Sequence, residues 1–95
     1  MSPISILLMM IVDTVAQVAA KGQWSPCFDI SHGAASLHFR PAGFDYLKPT
    51  GTWPKAETIR VRIVPMDQDD EPELLEELQA MLAFARRHLE TAPEA

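Results

Sequence analysis

The residue types able to do nucleophilic or metal chemistry are few and poorly spaced. Cys27 is the single cysteine, which removes an internal disulfide and any cysteine-built structural zinc site. Cys27, His32 and His38 lie close in sequence, but their separations match no zinc pattern, and strand geometry points neighbouring side chains to opposite faces. His88 adds a third histidine with no partner at ligand spacing. Asp29, Ser31 and His32 supply the residue types of a hydrolytic triad, yet near neighbours on one strand do not converge on a point. Cys27 reads as a small buried hydrophobe. The chain lacks a Walker A loop, a dinucleotide fingerprint, His-Glu-x-x-His and Gly-x-Ser-x-Gly. We therefore expect a protein that is not an enzyme, with no catalytic residues, no metal, no cofactor and no small-molecule substrate.

Charge suggests two binding chemistries. The 95 residues hold 13 acids against 8 bases, a net charge of -5. Seven of the acids fall between Asp67 and Glu77. Asp69, Asp70, Glu73, Glu76 and Glu77 form a candidate acidic face that would bind a basic partner, as a phosphate-mimicking inhibitor of nucleic-acid machinery does. The competing explanation is a helix start, which favours anions in any case. A calcium loop fails, because the segment from Asp67 lacks the glycine at position six and the glutamate at position twelve. The opposite patch is His38 and Arg40 beside Arg60 and Arg62, bases that could hold a phosphate or RNA backbone. An acidic chain without interleaved aromatics at those bases argues against nucleic acid. Pairing of the arginines with Asp29 or with the acids of the last third explains them more simply. A third candidate is the trio Phe44, Tyr46 and Trp53, flanked by Lys48 and Lys55. These aromatics form a recognition surface or fold back over the open edge of a small core.

These side chains must be positioned by five elements. Ser2-Pro3 starts a helix over 2–21, capped by Ser2 and closed by Lys21-Gly22. Its seam is Ile4, Leu8, Ile11, Val15 and Val18. Residues 23–64 read as a three-stranded antiparallel meander. Phe28 and Ile30 mark the first strand, Ala35, Leu37 and Phe39 the second, and Ile59, Val61 and Ile63 the third. His32-Gly33 is the tight turn of a hairpin. A long Pro/Gly/aromatic loop at 41–55 separates strands two and three, and loops of that length are often functional. A second helix covers 70–90, opened by a capping-box-like Asp70-x-x-Glu73, with a seam of Leu75, Leu78, Leu82, Ala85 and Leu89 widened by Leu74 and Met81. The tail 91–95 frays. The fold class is α+β in a single domain, both helices on one face of the sheet.

The first helix carries more apolar surface than so small a sheet can cover. Ile6, Met9, Met10 and Val12 are apolar but lie off its seam. The unbroken run Ile6–Val12 imitates the core of a signal peptide with a cleavage site after Ala20, but no Lys or Arg precedes it and Asp13 follows. Seven residues fall well short of the roughly 20 that span a bilayer. A membrane is thus not expected, and a cytoplasmic location fits the lone thiol. Hydrophobic residues make up 47% of the chain, enough for a folded core. The surplus is most simply covered by a second copy or another protein. We expect a homodimer or an obligate complex, with Ile6, Met9, Met10 and Val12 at the contact.

Overall fold

The first helix begins where local chemistry places it. The Ser2 hydroxyl accepts the Ser5 N–H at 3.1 Å and Pro3 takes the first helical position, where its missing N–H costs nothing. This helix, α1 (Pro3–Lys21), stops at Gly22, whose φ of 75° is left-handed and whose N–H bonds the Ala19 carbonyl at 3.1 Å. The computed structural model describes residues 2–43, 47–67 and 69–93.

Two eight-residue strands follow, β1 (Trp24–Ser31) and β2 (Ala34–Pro41). His32 and Gly33 join them with φ of 53° and 74°. Two positive φ values in succession make the type I′ turn, whose twist matches that of the strands it joins. A short 3-10 turn, Thr50–Thr52, precedes β3 (Glu57–Arg62). The sheet is antiparallel in the order β1-β2-β3, so β1 is an edge strand. The Gln23 carbonyl accepts the Ala42 N–H at 3.1 Å. By the alternation of an antiparallel ladder, odd-numbered residues of β1 therefore bond to β2, and the peptide groups of Trp24, Pro26, Phe28 and Ile30 face the open edge. Proline is tolerated at 26 because it has no N–H to present there.

The register sorts the strands into two faces. Phe28, Leu37 and Ile59 lie side by side on one, as do Ile30, Ala35 and Val61; Asp29, Ser36 and Arg60 share the other. Both helices cover the first face. α1 packs over β1, and α2 (Glu71–Glu90) over β3, with the helices against each other. The core joins Ile11 and Val18 of α1 to Ala35, Leu37, Phe39 and Val61 of the sheet and Leu78, Met81, Leu82, Phe84 and Ala85 of α2. Thr14 is buried among them with its hydroxyl bonded to the Met10 carbonyl at 2.9 Å.

The second helix departs from its sequence reading in two ways. Asp70 precedes it but makes no capping bond. Its carboxylate instead pairs with Arg62 at 3.2 Å and accepts the Met66 N–H at 2.9 Å. The buried stripe is also rotated. Leu74, Leu78, Met81, Ala85 and His88 run along its centre, and Leu75 and Leu89 are only half-buried. The rotation follows from Phe84 and His88, which build an aromatic end to the core. The His88 ring stacks on Phe39 with centroids 4.0 Å apart and meets Trp24 edge-on at 4.6 Å. Trp24 donates its indole N–H to the Thr91 carbonyl at 2.9 Å, and Lys21 bonds the Leu89 carbonyl. Thr91, expected to fray, is thus tied to the core.

Among the described residues, α1 is long and apolar enough to cross a membrane, by length and composition alone. The unbroken run at Ile6–Val12 understates this, since Asp13 and Lys21 are the only charges in the whole helix. Ile11 and Val18 nonetheless face the sheet and α2 with no exposure.

Candidate functional site

The outward side of α1 is apolar along its first three turns. Ile6 is 47% exposed, Met9 58%, Met10 40% and Val12 48%. Helical periodicity explains the arrangement: Ile11, Thr14 and Val18 define the inward face, and these four residues point elsewhere. Beside them, on the same side of the sheet, Ile30 of the edge strand is 51% exposed. No fourth strand stands beyond β1 among the described residues, so Phe28 and Ile30 have only α1 as cover. The result is an open apolar groove of about 470 Å³, lined by Leu8, Met9, Val12, Ala16, Phe28 and Ile30 with Asp13 at its rim. The Asp13 carboxylate accepts a hydrogen bond from the Gln17 amide at 2.9 Å. The surface can bind apolar side chains, with one carboxylate, Asp13, at its rim.

Of the four helix residues singled out from sequence, Met9 and Val12 line this groove, whereas Ile6 and Met10 do not line it and stand half exposed elsewhere on the outward side of α1. Leu8, Ala16, Phe28 and Ile30 were missed as site residues. Their types carried the signal, and a meander already puts β1 at the edge, but which side of α1 comes to rest beside Phe28 and Ile30 is set by the tertiary packing.

The acidic candidates divide. Asp69, Glu73, Glu76 and Glu77 are exposed, whereas Asp70 is engaged with Arg62 and Met66. On the open sheet face the register sets Arg60 across from Ser36 and diagonal to His38, whereas Arg62 lies opposite Ala34 and Arg40 falls beyond the residues paired with β3. The four bases are therefore spread along the sheet and are not gathered in the patch expected from sequence. Trp53 lies over Arg40, the guanidinium 5.3 Å from the ring centroid, and its indole N–H bonds the Lys48 carbonyl at 3.0 Å. An aromatic therefore accompanies Arg40, contrary to the sequence reading, because Trp53 of the loop folds back over it. Phe44 and Tyr46 lie outside the described residues. Cys27 is exposed on the same open face rather than buried, since the helices cover only the other one.

His88 is buried and hydrogen-bonded. Its Nδ1 donates to the Phe84 carbonyl at 2.8 Å, since a carbonyl only accepts, and its Nε2 lies 2.9 Å from the Glu57 carboxylate. That second contact is an ion pair when the ring holds both protons. Among the described residues no group of three or more His, Cys, Asp or Glu is placed to hold a metal ion. Comparison with protein families, with curated proteins and with solved structures finds no match.

Proposed function

We propose that the protein is a small, acidic, non-catalytic protein-protein interaction module that works as a homodimer or within an obligate complex. One observation carries this reading: the contiguous apolar surface of Ile6, Met9, Met10, Val12 and Ile30, each about half exposed on the folded chain. Scattered apolar side chains are normal on a protein surface, but a patch around a groove marks an interaction site. Each such side chain is worth roughly 1.5–3 kcal/mol on full burial, so covering the remaining half of five of them supplies several kcal/mol to association.

The reading is tested on the purified protein by light scattering and dye binding. The wild-type chain is expected to self-associate, or to bind an apolar dye as a monomer. Ile6→Glu with Met10→Glu is expected to abolish either behaviour while leaving the circular dichroism unchanged, because neither side chain is in the core. A monomer that binds no dye, unaffected by the double substitution, refutes it. The acidic-inhibitor reading rests on the exposed Glu73, Glu76 and Glu77 and ranks second, because a helix start explains those acids unaided.

A further inference from the structure

The groove opens on the same side as the unpaired edge of β1, and this juxtaposition selects the occupant. An antiparallel edge is its own complement, since a two-fold axis sets its donors opposite its acceptors. Resting on the interaction-module reading, we infer that a second copy of the chain docks here, β1 against β1, joining two three-stranded sheets into one of six and laying α1 against its symmetry mate.

The residues of β1 choose the register. With the axis at Phe28, each Phe28 exchanges two backbone bonds with its mate, and each Ile30 donates to the Pro26 carbonyl of the other copy. Pro26 returns no bond, a loss of one on each side of the axis. Asp29 is the only charged residue of β1. This register sets it across from Cys27, whereas an axis at Asp29 would oppose two carboxylates, which is destabilising. On the covered face the two Phe28 rings meet between the helices, and the open grooves leave room for them.

Area and charge agree with a second copy. The accessible surface is 6254 Å², against about 5,500 Å² for a compact monomer of this mass. Part of this excess is the half-exposed Ile6, Met9, Met10, Val12 and Ile30, and part is the exposed Leu47 and Met66. The acids of 67–77 follow β3 at the far edge of the sheet, so the net charge of -5 is not concentrated at the contact. A foreign extended segment would pair with β1 but bring no second helix to cover Met9 of α1, the most exposed of the four helix residues. A lipid surface fits less well. Interfacial helices present bases on their polar face, and the one base of α1, Lys21, is bonded to the Leu89 carbonyl.

The sole thiol provides the test. Cys27 is exposed on the face away from the groove, so a nitroxide attached there leaves the proposed contact intact. In the docked pair the two Cys27 are diagonal neighbours, about 7–8 Å apart. Doubled mass by light scattering together with dipolar broadening of the frozen electron paramagnetic resonance spectrum is the expected result. Met9→Glu is expected to remove both without changing the circular dichroism. A dimer whose labels show no broadening overturns the edge docking while leaving the interaction-module reading in place. A monomer at all attainable concentrations overturns the second copy. If that monomer binds phosphatidylcholine vesicles through the stripe, the interaction-module reading falls with it.

Discussion

Replacing His88 separates the two ways in which a buried histidine can hold a fold together. The residue is 4% exposed, stacked on Phe39 with an interplanar angle of 11° and set edge-on against Trp24 and Phe84. His88→Ala removes the ring from the centre of this cluster and leaves a cavity, for which we expect a loss of about 2–4 kcal/mol, slightly below the range for larger aromatics. His88→Phe keeps the ring and removes only its polar contacts. The Phe84 carbonyl still accepts the backbone N–H of residue 88 in the helix, and the Glu57 side chain, 57% exposed, is open to water. Its cost is therefore expected to stay near 0.5–1 kcal/mol. Urea unfolding at one fixed protein concentration, followed by circular dichroism, reads both values, and in a domain of this size each kcal/mol moves the melting temperature by about 4–8 °C. If His88→Phe is as damaging as His88→Ala, the contact to Glu57 dominates and the packing argument fails.

Four further outcomes follow from the same structure. Gly22→Ala meets only backbone strain, since φ is 75° and nothing lies within 4 Å of the added carbon; a loss of about 1 kcal/mol is expected by thermal unfolding. Gly33→Ala combines φ of 74° with the Val64 Cγ2 at 3.4 Å and is expected to cost more, about 1–2 kcal/mol. Glu73→Gln, Glu76→Gln and Glu77→Gln together are expected to leave self-association unchanged by light scattering; loss of binding to a protein partner would favour the acidic-inhibitor reading. No measurable RNA or DNA binding is expected at physiological salt in a filter assay. Binding that Arg60→Ala with Arg62→Ala abolishes would move the function to the open sheet face.

Most of the architecture was legible because its causes are local. The Ser2-Pro3 start, the Gly22 stop and the His32-Gly33 turn each depend on backbone preferences within a few residues. The alternation of Ala35, Leu37 and Phe39 with Ser36, His38 and Arg40 sorted β2 correctly because the pleat admits only two faces. The errors arose where distant elements compete. Leu75 and Leu78 made a plausible seam until Phe84 and His88 had an aromatic partner in Phe39. Asp70 had the type and position of a cap, but Arg62 and the Met66 N–H draw its carboxylate away from the helix end.

By itself the sequence determined the five elements, the two faces of each strand and the apolar excess of α1, since all are periodicities within continuous segments. Only the tertiary structure decided that Phe28 and Ile30 join Met9 and Val12 around one groove, and that Cys27 stands in solvent. Those properties depend on where α1 comes to rest on the sheet and which face the helices leave open, a relation between segments far apart in the chain that no local pattern encodes.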